Sequence, residues 1–186
     1  MSLPSDAELV ARALREDAAA LDALVRRHYG AAYAVAFAVT RRREDAEDVC
    51  HEGLVRAAER LEECRRPERF GAWACAIVRN LAKNRVSRDP ARRAAPLEPE
   101  VHPARDDAAR RVEELELRRT LEAALADLSP AQREVLLLHD LEGWDHGAIA
   151  EVIGTSPGMS RQHLFHARRR LRELLGDSLL EDYRHG

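Results

Sequence analysis

Aromatic residues are scarce in this chain: three Phe, two Trp and three Tyr make up 4% of its 186 residues. A core with so few rings must be filled by Leu, Val, Ile and Ala. That favours packed helices over a sheet, because strands draw on aromatic and β-branched side chains. Cysteine is scarce too. Cys50, Cys64 and Cys75 are an odd number without metal-ligand spacing, and a reducing, cytoplasmic setting is the simplest reading. No uninterrupted apolar run approaches the length of a membrane span, so no membrane insertion is expected. The opening stretch, MSLPSDAELV, is polar and acidic and unlike a signal peptide. There is no phosphate-cradling glycine loop, no nucleophile elbow and no pair of carboxylates in a plausible pocket. The expectation is therefore of a protein that is not an enzyme, with no catalytic residue and no cofactor.

What is present is globular in character, 45% hydrophobic and 34% charged, and long enough for one medium domain or two small helical ones. The net charge of −3 argues on its own against a nucleic-acid partner. Its distribution argues the other way. Residues 1–63 carry nine basic and thirteen acidic side chains, whereas residues 64–93 carry nine basic and two acidic. Residues 94–157 return to a net −8, and 158–186 to a net +2 whose basic excess is confined to GMSRQHLFHARRRLR, Gly158 to Arg172. Two basic islands in an acidic chain point to two separate contacts with a polyanion. The acidic stretches are left to face another surface, such as a basic protein.

Helical periodicity runs through both ends of the chain. Ser5 and Glu8 have the form of a capping box opening a helix to about Asp17. Leu21, Leu24, Val25 and His28 recur at helical spacing, followed by Tyr33 and Phe37. After TRRRED, one stripe joins Ala46, Val49, Cys50, Gly53, Leu54, Ala57 and Leu61; Phe70, Trp73, Ala74, Ile77 and Leu81 form another, ending near Ser87. Between Ser87 and Asp107, SRDPARRAAPLEPEVHPARDD holds four of the eight prolines and almost no large apolar residue, which reads as an extended linker. Beyond it, Leu117, Leu121, Ala124, Leu125 and Leu128 begin a second helical unit. Ser129-Pro130 opens the next helix, Gly143 breaks it, and Asp145 caps HGAIAEVI. The expected fold is all-α, with an N-terminal bundle (1–89), a Pro-rich flexible linker (90–115) and a C-terminal unit (116–186).

Within that last unit, a short helix, a turn containing Gly154 and a long helix make a helix-turn-helix arrangement. The long helix buries Leu164, Ala167, Leu171, Leu174 and Leu175 and leaves Arg161, Gln162, Phe165, His166, Arg168 and Arg169 largely outside. Arg can hold guanine bidentately and Gln adenine, while a C-terminal Arg cluster suits phosphates.

LSPAQREVLLLHDLEGWDHGAIAEVIGTSPGMSRQHLFHARRRLRELL (128–175) resembles the C-terminal region of extracytoplasmic-function sigma factors of the bacterial sigma-70 family. REDAEDVCHEGLVRAAERL (43–61) resembles that family's helix that docks on the clamp of RNA polymerase. FGAWACAIVRNLAKNRVSR (70–88) resembles the helix that follows, part of the −10 recognition and strand-opening region. The likeness covers roughly residues 18–89 and 116–175. It implies a factor that binds core RNA polymerase, through the clamp of the β′ subunit and the β flap, and directs initiation at promoter DNA. The linker would run through the polymerase toward the RNA exit path, and an anti-sigma factor is an expected partner. The −35 contacts would come from Ser156, Ser160, Arg161, Gln162, His163, Phe165, His166, Arg168 and Arg169. The −10 contacts would come from Arg65, Arg66, Arg69, Arg79, Asn80, Lys83, Asn84, Arg85 and Arg88. Polymerase would be met by Asp45, Glu47, Asp48, His51, Glu52 and Arg56.

The chain departs from the family pattern in places. His51 stands where a Gln is usual, Leu54 replaces an aromatic, and Ser160 stands where a buried Val is common. His163, Phe165 and His166 replace the usual Arg, His and Arg, which leaves the −35 preference of this chain open. A metal site at Cys50-His51 or at His163 with His166 is the weaker reading, since histidines scattered on polar helix faces are far commoner. The serious rival is an autonomous helix-turn-helix regulator, which leaves residues 43–88 unexplained; such a dimer would footprint a palindrome.

Overall fold

The computed structural model describes residues 3–88 and 108–184, and among them every regular element is helical. Helix α1 (Asp6–Ala13) opens with the expected capping box between Ser5 and Glu8. It stops four residues short of Asp17, because Asp17 is used instead to cap α2 (Ala18–Thr40) by accepting from the Ala20 N–H. Arg41, in the left-handed region at φ 62°, ends α2, and α3 (Arg43–Glu59) follows after Arg42. Two short 3-10 turns, Leu61–Glu63 and Pro67–Arg69, lead to α4 (Phe70–Arg88). The Asp6 carboxylate ties α1 to α2 by accepting from Arg27 Nη1 at 2.7 Å and lying 2.8 Å from His28 Nε2.

Alanine does in this bundle what rings do elsewhere. Ala31, Ala32, Ala36, Ala46, Ala57, Ala74 and Ala82 are buried, so α2, α3 and α4 approach closely. The tightest point is Gly53 on α3, where a Cβ would stand 2.5 Å from Val78 Cγ2 and 3.0 Å from the Val78 Cα of α4. Every residue of the expected α3 stripe is buried. On α4 the burial is rotated from the expected one, with Phe70, Ala74, Cys75, Val78 and Ala82 inside and Trp73, Ile77 and Leu81 only half-buried. The cause is a second neighbour, because α4 packs on the C-terminal half as well as on α2 and α3.

Helix α5 spans Ala108–Asp127, so the chain is helical from within the stretch read as linker, residues 90–115; residues 90–107 of that reading lie outside the described residues. Leu117 and Leu121 of the expected α5 stripe are exposed, and Ala124 and Leu128 are buried. Helix α6 (Pro130–Leu136) has a capping box between Ser129 and Gln132 and widens into a π turn over Leu137–Leu141. Asp145 caps α7 (His146–Ile153), and Gly154 ends it at φ 73°. Helix α8 covers Pro157–Arg184 with a break at Gly176, whose φ of 73° and ψ of 167° are not helical. Ile149, Val152, Leu164, Ala167 and Leu171 close the core between α7 and α8, while Leu174 stays exposed.

The two halves share one core. α4 lies on α7, and α2 lies on α6 and the π turn. Arg79 of α4 meets Glu134 of α6 in a bidentate pair, and Glu134 has no exposed side-chain surface. Arg133 donates to the carbonyls of Leu125, Ala126 and Leu128 and also across to that of Ala38 on α2. The three cysteines are buried free thiols, with burial pushing Cys50 up to about 12, well away from reactivity.

Candidate nucleic-acid interface

The turn between α7 and α8 is built by backbone chemistry. The N–H groups of Gly154 and Thr155 both donate to the Ala150 carbonyl, which closes α7 with a left-handed glycine. Ser156 then caps α8, its Oγ accepting from the Met159 N–H at 3.2 Å. The hydroxyl expected at DNA is therefore engaged in starting the helix.

The orientation of α8 is set by what it buries. Ser160, Leu164, Ala167 and Leu171 face inward, and Ser160 is wholly enclosed with its Oγ 2.9 Å from His146 Nδ1. Ser160 thus occupies the inward position where the family commonly has Val, with a polar partner to match. The ring of His146 stacks on His139 with centroids 4.7 Å apart. Burial, then the charges of His139, Arg161 and Arg168, hold His146 below the ordinary histidine value. Asp140 accepts from Arg168 and lies 2.9 Å from His139 Nδ1; burial alone would raise its pKa, but these hydrogen bonds bring it down.

On the opposite side of α8, Arg161, Gln162, Phe165 and His166 are exposed and make no hydrogen bond or ion pair among the described residues. His163 is half-buried. Arg168 pairs with Asp140, Arg169 with Glu173, and Arg170 with Asp127 and Glu173. The pairs of Arg169 and Arg170 are exposed and worth ~0–1 kcal/mol, so a phosphate can displace their carboxylates at little cost, whereas the side chain of Asp140 is half-buried.

The other expected sites divide in two. Arg65, Arg69, Asn80, Lys83, Asn84 and Arg88 are exposed along the loop before α4 and the outer side of α4. Arg66 reaches Glu151 of α7 at 3.3 Å, and Arg79 is turned into the pair with Glu134. Arg85 is spent on α3, bonding Asp45 at 3.0 Å and Asp48 at 3.3 Å. Asp45 is itself buried, with Arg42 on its other side. Glu47, Asp48, His51, Glu52 and Arg56 remain exposed on α3, with Arg43–Glu47 and Arg56–Glu52 pairs one turn apart.

Sequence reading passed over Arg133, Glu134, Asp140, His146 and Glu151. Glu134 left a signal, since it begins the i, i+3, i+4, i+7 series of Leu137, Leu138 and Leu141 and so falls on an apolar face. Among the described residues no group of three or more His, Cys, Asp or Glu stands where it could hold a metal, and no helix is long and apolar enough to cross a membrane.

A helix-turn-helix with an open outer face, packed on a second helical unit with a basic outer edge, defines a two-part helical DNA-binding protein. Family models for Sigma-70 region 2 and Sigma-70, region 4 match residues 24–92 and 118–171. The chain is 31% identical over 172 residues to the ECF RNA polymerase sigma factor SigM of Mycobacterium tuberculosis (strain ATCC 25618 / H37Rv), covering 92% of this chain and 85% of the relative. Among solved structures it resembles CnrH in complex with the cytosolic domain of CnrY, with a TM-score of 0.68, 26% identity, and 92% and 97% of the two chains covered. The fold is shared, at a TM-score of 0.60 and 24% identity, with the sigma factor RpoE of Bartonella quintana, solved with the anti-sigma factor NepR; 80% of this chain and 92% of that one are covered. The chain belongs to the extracytoplasmic-function RNA polymerase sigma factors, which are transcription initiation factors.

Proposed function

We propose that this factor divides its work between two outer faces. Helix α8 enters the major groove of the −35 element with Arg161, Gln162, Phe165 and His166, while Arg168 and Arg169 hold phosphates. Arg65, Arg69, Asn80, Lys83, Asn84 and Arg88 take the −10 element, and the exposed acids of α3 meet the polymerase clamp. Catalysis belongs to the polymerase, and the setting is the cytoplasm. The observation that carries this reading is the open outer face of α8, whose inner face is filled by Ser160, Leu164, Ala167 and Leu171. Of the solved relatives, CnrH was solved with the cytosolic domain of CnrY and RpoE with an anti-sigma factor, which supports an anti-sigma partner for this chain as well.

Elements named for −35 and −10 lie about 25 base pairs apart, or roughly 85 Å of duplex. A compact chain of this length has a radius of gyration of about 16 Å. The packed halves therefore have to part before both elements are read. Nineteen residues separate Arg88 from Ala108, and a chain of that length spans at most about 65 Å, enough to let them. Two modest binding surfaces held at a set separation by polymerase then act as one strong one.

The test is gel filtration of the protein with bacterial core RNA polymerase, followed by transcription from candidate promoters. Co-elution with promoter-specific initiation is the expected result. A folded protein that fails to co-elute and binds duplex DNA alone as a dimer overturns it.

A further inference from the structure

Phe165 is the anomaly of the outer face of α8. Its side chain is 64% exposed, while Leu164 and Ala167 on either side are buried. Burying a ring of that size is worth about 1.5–3 kcal/mol, so its place on the face that carries Gln162, His166 and Arg169 makes it available to whatever that face binds. At 3.6 residues per turn, Gln162, Phe165, His166 and Arg169 share the side opposite Ser160, Leu164, Ala167 and Leu171. The phenyl ring meets the His166 ring edge-on with centroids 5.5 Å apart, so the two project together. Gln162 stands one turn before them and Arg169 one turn after, both exposed.

Each neighbour has a polar counterpart in a major groove: the Gln amide can pair with adenine, and a guanidinium with guanine or phosphate. Phenyl has no donor or acceptor, so it adds nothing at a phosphate or a base edge. The one apolar group that a major groove offers is the C5-methyl of thymine. We propose that Phe165 covers a thymine methyl in the −35 element and that this contact sets the base preferred there. The inference rests on α8 being the −35 helix and adds which chemical group the chain selects.

The experiment uses the full chain bound to bacterial core RNA polymerase. A −35 element is first selected from a promoter library randomised at that site. Each thymine of the selected element, on either strand, is then replaced in turn by deoxyuridine. This deletes one methyl and leaves every hydrogen-bonding group of the base pair in place. For the natural chain, the expected result is a roughly fourfold loss of affinity at one or two positions, the equivalent of one methyl's transfer free energy. Phe165→Ala is expected to bind the thymine and deoxyuridine promoters equally, and Phe165→Leu to retain part of the difference.

Indifference of the natural chain to every deoxyuridine overturns the inference and frees the ring for a protein partner. A deoxyuridine penalty that persists undiminished in Phe165→Ala overturns it equally, because another group then touches the methyl. Failure to select any −35 element, or to bind polymerase at all, is a different result and strikes the sigma-factor reading beneath.

Discussion

Arg79 Nε and Nη2 donate to the two carboxylate oxygens of Glu134 at 2.7 and 2.9 Å, from α4 of one half to α6 of the other. Arg79 is 14% exposed and Glu134 not at all. Removing one member of such a pair strands a charge and costs about 3–5 kcal/mol. Because the pair joins α4 of one half to α6 of the other, that cost falls on their packing. Glu134→Ala is therefore expected to part the halves without unfolding them. Small-angle scattering should show a larger radius of gyration with helical content unchanged. An unchanged radius would mean that the remaining contacts, among them the bond of Arg133 to the Ala38 carbonyl and the cluster of Ala38 and Leu137, hold the halves together.

Gly53 faces Val78 where α3 and α4 come closest. The Val78 backbone stands 3.0 Å from a Cβ at position 53, so a new methyl cannot be absorbed by turning a side chain. Gly53→Ala is expected to destabilise the N-terminal bundle by about 1–3 kcal/mol despite the better helix propensity of alanine. The urea midpoint measures it. Val78→Ala in the same chain should return only part of the loss, since the obstruction includes the Val78 Cα.

Helices and turns were legible where local chemistry decides them. Ser5, Ser129, Asp145 and Gly154 do what their residue types imply, and the α3 stripe is buried as its spacing requires. The C-cap chemistry of α1 was not, because Asp17 could serve the end of one helix or the start of the next. Where a helix has two neighbours, periodicity no longer points to one face, and so α4 buries Cys75 and Val78 more deeply than Ile77 and Leu81. The site was legible by residue type and less so by partner. Nothing local to Arg79, Arg85 or Asp45 says that each is engaged by an acid or a base 37 or more positions away, or separates them from Lys83 and Asp48 on exposed ground.

His146 titrates below the ordinary histidine value because it is partly buried and faces His139, Arg161 and Arg168, with Asp145 only partly offsetting them. The unfolded chain binds this proton more readily than the folded one, so stability is full above about pH 6.5 and declines as the pH falls toward the folded value. The His146 imidazole should show this lowered titration in NMR. His146→Gln is expected to flatten the stability profile as the pH falls below about 6.5, and an unchanged slope would assign that proton to another histidine.

Asp48 and Glu52 lie on the exposed side of α3, next in the chain to the buried Val49 and Gly53. Their intramolecular pairs, with Arg85 and Arg56, are exposed and weak. Replacing both with Lys should leave the melting temperature nearly unchanged and weaken binding to core polymerase at least tenfold. Asp45→Lys makes the contrast, since a charge reversal at a buried carboxylate between Arg42 and Arg85 is expected to unfold the start of α3. Equal polymerase affinity in the Asp48/Glu52 variant would move the docking surface off α3.

Arg161 and Arg169 separate the two uses of a cation on α8. Arg161 is in the second turn, exposed and without an ion-pair partner among the described residues, so it is free to reach a base edge. Arg169 is two turns further on and already bonded to Glu173 at 3.0 Å, a carboxylate that a phosphate can replace. Arg161→Ala is expected to cost about 1–3 kcal/mol at the selected −35 element and to relax the choice of base at one position. Arg169→Ala should instead weaken all sequences alike and lower the salt slope by about one. Fluorescence anisotropy of the polymerase complex on labelled promoters, repeated across salt concentrations, distinguishes the two. A uniform loss for Arg161→Ala would make it a phosphate contact and shift base reading toward Gln162 and Phe165.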